Sequence, residues 1–305
     1  MADNPWYGRK YQIIVSDASG NALDVSGLHC TFNIERVANQ KSNFAEITIF
    51  NLNESTEHTA IEEGKIVIVN AGYENGVYGK IFEGEVFQPM WDRENGIDYK
   101  LTLNCIDGDS FLNGNFVKGT MTSGYNYKQL IEAMASSARK KIPMGAVSST
   151  LKTQKSARGM TIFGDPRDTF RNIARDNNAA FFSNNNTMHF TKITDVPKGE
   201  ALVVSPESGL IGTPTQTDNG FSFKCLLNPN IQAINGENTQ MMVKIENSTI
   251  RQQKVTFGQK TSMLDQDMIG KVIGVTYVGD TRGQDWYCDV TCVAKGGKIP
   301  LQLLN

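Results

Sequence analysis

The chain has 305 residues, and the soft prior of about 100 to 200 residues per domain divides it into two or three units. Its 30 Lys and Arg against 32 Asp and Glu leave a formal charge of −2, without the positive excess that holds a polyanion, which argues against specific nucleic-acid binding. Five cysteines (Cys30, Cys105, Cys225, Cys288 and Cys292) are an odd number without disulfide-scaffold density and predict reduced thiols.

The N-terminus MADNPWYGRKY lacks the apolar core of a signal peptide, about 7 to 15 residues, and no run reaches the roughly 18 apolar residues of a membrane helix. The chain is therefore expected to stay soluble where it is made.

In chain order, strands are expected at 11–15, 44–50 and 65–71, with a clear alternating one from Leu28. There Leu28, Cys30, Phe32 and Ile34 share one parity and His29, Thr31, Asn33 and Glu35 the other. Residues 97–105 alternate likewise, with Ile97, Tyr99, Leu101, Leu103 and Cys105 on one face. Asn95-Gly96 before them is a hairpin turn signal and joins this strand to IFEGEVFQP, residues 81–89. Residues 1–115 thus read as a small antiparallel barrel or sandwich.

A helical period then takes over. Tyr127, Leu130, Ile131, Met134 and Ala138 form an apolar stripe, Asn126 and Gln129 a capping box, and Arg139, Lys140 and Lys141 suit the helix C-terminus before Pro143. Asp165-Pro166 opens a second helix that buries Phe170, Ile173 and Ala174. AAFFSNNNTMHFTK reads as a hairpin turning at Asn184–Asn186. Residues 116–204 are then an α/β module, and strand periodicity returns over 205–305, where Trp286, Cys288, Val290, Cys292 and Ala294 share a face. The expected fold class is mainly β, with two small antiparallel barrels flanking a helix-containing module.

Glu83 and Glu85 are the first chemical candidates. Two positions apart on a strand, they stand about 6 to 7 Å from one another, within the separation of about 5 to 9.5 Å used by glycoside hydrolases. An acid catalyst also needs burial or a like charge to raise its pKa, and exposed strand carboxylates have neither. Asp107, Asp109, Asn113 and Asn115 suggest calcium, but an EF-hand loop starting at Asp107 puts Phe111 and Leu112 at its fifth and sixth positions, so a polar turn is expected. His29, His58 and His189 lack ligand spacing and read as surface residues. Cys288 and Cys292 lie about 13 Å apart on a strand, too far to share a metal, and read as core beside Trp286. Neither a Walker loop nor a GxSxG elbow occurs. Catalytic, cofactor-binding and metal-binding residues are accordingly all read as none.

Three segments carry a more specific signal. SGLIGTPTQTDNGFSFKCLLNPNI (208–231), with its Leu227-Asn228-Pro229 corner, resembles a segment of baseplate hub proteins of contractile-tailed bacteriophages. VTYVGDTRGQDWYCDVTC (275–292) resembles a second, and LDVSGLHCTFNIER with FAEITIFNLN resembles the first β domain of the same proteins.

The resemblance implies a homotrimeric hub whose subunits each give two tube-like β domains, forming a ring of pseudo-sixfold symmetry between a threefold spike and a sixfold tail tube. It implies as partners the trimeric spike, the tube proteins, other baseplate proteins and the tape measure protein, with DNA passing through the lumen without specific binding. Its place is the virion baseplate, assembled in the bacterial cytoplasm. Alternatives are a spike-base component of a type VI secretion-like machine, a cell-wall hydrolase using Glu83 and Glu85, and a carbohydrate-binding module with exposed aromatics such as Trp91.

Overall fold

Alternation becomes pleat over most of the chain. The structure, a computed structural model, describes residues 5–16, 21–38, 42–53, 65–94, 96–192, 195, 200–217, 220–233, 241–246, 252–253 and 268–294. The first portion holds β1 (Arg9–Ser16), β2 (Ala22–Asp24), β3 (Cys30–Val37), β4 (Phe44–Phe50), β5 (Ile66–Tyr73), β6 (Tyr78–Glu94) and β7 (Asp98–Ile106). Next come α1 (Asp109–Leu112), β8 (Val117–Met121), α2 (Tyr127–Ser137), β9 (Met144–Val147), β10 (Met160–Gly164), α3 (Pro166–Asn177), β11 (Ala179–Ser183) and β12 (Met188–Lys192). The last portion holds β13 (Leu202–Val204), β14 (Leu210–Thr217), β15 (Gly220–Leu226), β16 (Met242–Ile245), β17 (Gln252–Gln253), β18 (Ile269–Asp280) and β19 (Trp286–Ala294).

The two β portions run into one sheet of 14 strands. Its main path is β17-β14-β15-β19-β18-β3-β4-β7-β6-β5-β1-β2, with β16 on β18 and β13 on β16. The splice is β18. Met242–Lys244 pair with its first residues, a bulge falls at Ile273, and Gly274–Asp280 then pair antiparallel with Val37–Thr31. Ala38 N–H donates to the bulge carbonyl of Ile273 at 2.9 Å, so the extra residue is not left unpaired. Cys30, Phe32, Ile34, Val275, Tyr277, Trp286 and Cys288 all belong to a single apolar core that runs through both portions. The sheet curls enough to bring Tyr11 of β1 within 6.0 Å of Trp286 of β19, ring to ring, in an edge contact.

All five cysteines are buried and unbridged, Cys225 lying directly opposite Cys288. On β7, Leu101, Leu103 and Cys105 are buried as alternation predicts, but Thr102 and Asn104 are buried too, Thr102 sharing a hydroxyl hydrogen bond with Thr48. Ile97 and Tyr99, expected on the buried face, are exposed.

The α/β module has its own core, in which Phe170 meets Phe111, Phe181 and Phe190 at 5.0 to 5.8 Å. A fully buried Phe side chain contributes about 1.5 to 3 kcal/mol. Helix α2 carries the expected Asn126–Gln129 capping box and buries Leu130, Ile131 and Met134. It ends earlier than expected. Ala138 turns extended and bridges Val117, and Arg139 N–H donates to Phe116 O, which leaves Arg139, Lys140 and Lys141 beyond the helix. Helix α3 starts at the Asp165 cap with Pro166 in its first turn and stops at Asn178 in the left-handed region. The β11–β12 turn also falls where expected, with Asn185 and Asn186 both at positive φ.

Polar side chains fasten the module to the sheet. Asp107, at the exit of β7, accepts from Ser183 Oγ at 2.6 Å and from the N–H groups of Asn185 and Asn186 at 2.7 and 2.8 Å, gripping the β11–β12 turn. Asn43 donates to Ser183 O and accepts from Val37 N–H. Arg36, on the apolar parity of β3, is buried and donates to Ile81 O at 2.8 Å. That carbonyl belongs to a bulge: Val69 opposes Phe82 and Asn70 opposes Lys80, leaving Ile81 between them. Burial lowers the Arg36 pKa and raises that of Asp107, whose hydrogen bonds and Arg36 neighbour pull the other way. His189, expected at the surface, is buried against Phe182, and its Nδ1 accepts from Ala146 N–H at 3.0 Å. Burial, with the Arg36 charge added, pushes its pKa down to about 4.

Two expectations follow. Gly279 opposes Phe32 in the β3–β18 pairing, and a Cβ there would lie 2.2 Å from the ring, so Gly279→Ala costs about 1 to 3 kcal/mol in urea unfolding. A change below about 0.5 kcal/mol would show that the ring gives way freely. For His189, the unfolded chain binds the extra proton below about pH 6.5 and the folded one only below about 4, so stability falls as pH drops through that window. The full loss is about 3 kcal/mol. Asp107, raised, slopes the opposite way above its unfolded value, so the His189 contribution is read as the difference between wild type and His189→Gln at each pH. Parallel pH profiles for the two proteins would refute the assignment.

Candidate assembly surface

The chemical candidates do not converge. Glu83 is engaged by Lys80, whose Nζ lies 2.6 Å from its carboxylate, and both Glu83 and Glu85 are half-buried on β6 opposite Ile68 and Ile66. Asp107 is saturated by O–H and N–H donors, the opposite of a cation cage, and Asn115 is turned to the backbone of Lys140 at 2.8 and 3.1 Å. Among the described residues no group of three His, Cys, Asp or Glu is placed to hold a metal. His58 and Asn95 lie outside the described residues, as does the side chain of Asp109. No helix among the described residues is long and apolar enough to cross a membrane.

The segments that carried the resemblance prove to be joints. In the 280–285 loop, Asp280 Oδ1 accepts from the N–H groups of Arg282 and Gly283 and meets His29 Nε2 at 2.8 Å. Burial alone would raise the Asp280 carboxyl; the two N–H groups and His29 outweigh it and hold it below the usual range. His29 also stacks on Phe50. From β1, the Arg9 guanidinium donates to the carbonyls of Asp280, Gly283 and Gln284 and lies over the Trp286 ring. The loop thus ties the first strand to the last hairpin.

At the Leu227-Asn228-Pro229 corner, Leu227 and Ile231 are fully buried, and Gln232 donates to Lys80 O and Pro229 O. Tyr277 Oη donates to Ile231 O at 2.6 Å. The corner therefore wedges between β18 and β6, where no strand ladder connects them.

What faces outward is the end of the β6–β7 hairpin. A second bulge falls at Phe87, and among the described residues β6 pairs from Gln88 onward with β7. Met90 (41%), Trp91 (47%), Tyr99 (39%) and Ile97 (86%) are exposed there, and Arg93 lies over the Tyr99 ring. Sequence reasoning flagged Trp91 but placed Ile97 and Tyr99 inside. Elsewhere Phe116 and Phe163 form an exposed edge-to-face pair on the module's two-stranded sheet. Replacing both Glu83 and Glu85 by Ala is expected to change unfolding free energy by about 1 kcal/mol or less, since the pair holds one ion pair, Lys80–Glu83, that is still open to solvent. A loss of several kcal/mol in chemical denaturation would place the two carboxylates in a buried network.

The comparisons agree with this picture of an assembly protein. Among solved structures the chain is similar to the prophage MuSo2 43 kDa tail protein from Shewanella oneidensis, at TM-score 0.60 and 10% identity, covering 94% of this chain and 97% of that one. It is similar too to the tail protein from Neisseria meningitidis MC58, at TM-score 0.59 and 10% identity over 95% and 98% of the two chains. A third likeness is to the E. coli c3393 protein, described as a type VI secretion system component structurally similar to T4 bacteriophage tail proteins gp27 and gp5. Its TM-score is 0.54 and its identity 8%, with 97% of this chain and 80% of that one covered. These likenesses show the shared fold. A comparison with curated protein sequences finds no match. The model of the Baseplate hub gp41 family matches residues 12–249, well over half of the chain, and the protein belongs to that bacteriophage baseplate hub family.

Proposed function

We propose that the chain is a structural, non-enzymatic hub that forms a homotrimeric ring of pseudo-sixfold symmetry, adapting a threefold central spike to the sixfold tail tube. The observation that carries this reading is the family match over residues 12–249. Two β portions per chain support it, since three copies then offer six similar positions, the number that a three-to-six adaptor requires. In this reading residues 1–115 and 205–305 are the tube-like portions and 116–204 the module between them. The spike, the tube proteins, other baseplate proteins and the tape measure protein are its partners. A formal charge of −2 suits a lumen that lets DNA pass without holding it. Assembly takes place in the bacterial cytoplasm and the product resides in the virion tail.

The likeness to a type VI secretion component favours a second reading, the base of a spike in a related injection machine. Both place the chain between a spike and a tube. Light scattering on the purified chain, alone and with its cognate spike, separates assembly from a solitary enzyme. The expected species is a trimer of about 101 kDa, built from chains of 33.7 kDa. Monomer under both conditions would overturn the proposal.

A further inference from the structure

We infer that the free edge of β10 takes an added strand, an extended acidic segment of a partner polypeptide other than this chain. The inference goes beyond the ring proposed above and does not depend on it. It starts from a charge imbalance. Residues 116–204 hold 13 of the 30 Lys and Arg but 6 of the 32 Asp and Glu, so the α/β module carries a formal +7 and the rest of the chain −9. Part of that excess gathers around the β8–β10 ribbon. Lys118 stands on its exposed outer face, directly opposite Phe163. The exposed Arg139 and Lys140 are fastened to its start, Arg139 N–H donating to Phe116 O and Asn115 exchanging two hydrogen bonds with the Lys140 backbone. Arg158 lies just before β10. Among the described residues the ion pairs of the module, Lys128–Glu132 and Arg171–Asp168, leave these four cations out. Asp165, the acid nearest to β10 in sequence, caps α3 through Arg167 N–H.

The backbone fixes which edge is open. Ala138 bridges Val117 antiparallel. Because Arg139 N–H donates to Phe116 O while Ala138 N–H donates to Met134 O, the groups of Phe116 and Lys118 are the ones turned toward α2. Directions alternate along a strand, so Val117, Gly119 and Met121 turn to β10 and pair with Gly164, Ile162 and Met160. The N–H and C=O groups of Thr161 and Phe163 therefore point out of the ribbon. The chain is described without a gap from residue 96 to 192, and among the described residues no backbone hydrogen bond reaches these four groups. Both residues are exposed, Phe163 at 73%, with the Phe116 ring edge-on beside it. An edge of this kind is a template for a further strand, which gains backbone hydrogen bonds while its alternate side chains meet the flanking surface.

Charge and backbone together select the occupant. A row of free N–H and C=O groups matches a polypeptide rather than a nucleic acid, and Phe116 and Phe163 stand at 90°, not as a parallel platform for bases. Cations on the outer face and at both ends of the ribbon select an acidic segment. The described carboxylates of this chain do not supply it: Glu35, Glu46 and Glu85 lie in strands paired on both sides.

The test uses the full-length chain with a short, end-blocked peptide alternating Glu and Val, compared with its Lys and Val counterpart and with a single-stranded oligonucleotide. The acidic peptide is expected to bind more weakly as salt rises and to protect the amides of Thr161 and Phe163 from hydrogen exchange, leaving that of Ile162, already paired, unchanged. Thr161→Pro removes one outward N–H at an edge position that tolerates proline and should weaken binding about tenfold. Lys118→Glu should weaken it by a similar factor. Binding without protection of those two amides overturns strand addition, and so does unchanged affinity in a Thr161→Pro chain that melts as wild type does. If that variant fails to fold, exchange in the wild type decides. Tighter binding of the oligonucleotide assigns the face to nucleic acid, a Lys118→Glu chain that no longer forms the wild-type oligomer assigns it to a second copy, and binding of neither probe leaves the edge without this role; each overturns the inference. A wild type that binds the acidic peptide as described yet stays monomeric overturns the ring alone.

Discussion

Everything else in this molecule is arranged around the pairing of β3 with β18. It joins residues near position 34 to residues near position 277, so its entropy of closure is that of a loop of most of the chain. Aromatic packing along the ladder adds to it against that cost: Phe32 covers Gly279 and meets Trp286 edge-on at 5.5 Å, and Tyr277 is fully buried with its hydroxyl bonded to Ile231 O. Because the ladder is continuous, the first and last portions share one core. Each also leaves a short outer strand, β2 at one end of the path and β17 at the other, and short edges limit unwanted pairing.

The seat of the α/β module follows a different physics. Arg36, Asp107 and His189 are taken out of water around it, which hydrophobic residues of similar volume would tolerate more cheaply. What the charges supply is direction. The two Asp107 oxygens accept from one hydroxyl and two N–H groups whose positions exist only when Asn185 and Asn186 hold their positive-φ turn, so a shifted module loses all three bonds at once. Arg36 likewise finds its carbonyl only because a bulge turns Ile81 O inward. An apolar seat permits sliding; this one has a single register. The Nη2 of Arg36 has no protein partner, and that unsatisfied group is part of what the fixed register costs.

Legibility in the sequence followed the range of the forces involved. Local ones were readable: the Asn126–Gln129 capping box, the Asp165-Pro166 start, the Asn-rich turn and the parity of Trp286, Cys288, Val290 and Cys292 are all where composition and period put them. Whatever a partner strand decides was not. Alternation cannot show that β6 is bulged at Ile81 and Phe87, and so it does not show that Ile81, on the parity of the half-buried Glu83 and Glu85, is fully buried. It also put Ile97 and Tyr99 inside, since nothing local says that β4 ends opposite Lys100. One signal went unused. Arg36 continues the apolar parity of Cys30, Phe32 and Ile34, and a charge at such a position announces a buried partner. The surface had the least local signature. Trp91 was visible as an aromatic, but its exposure depends on where neighbouring strands stop.

A sheet held by its most distant pairing has consequences for how such a protein joins an assembly. Non-local strands form late in folding, because the closure entropy must be met before their contacts reward it. Until β18 finds β3, the carbonyls and N–H groups of β3 remain an open edge with Phe32 and Ile34 exposed beside it, the kind of surface that pairs with a wrong chain. Once the ladder forms, the same event closes that edge, positions Asp280 for His29 and Arg9, and seats the Leu227-Asn228-Pro229 corner on β6. The 280–285 loop and the corner thus form only in the finished subunit. The outward β6–β7 hairpin is a local pairing that does not wait for this ladder, so what the long-range closure protects is the β3 edge and the joints inside the subunit.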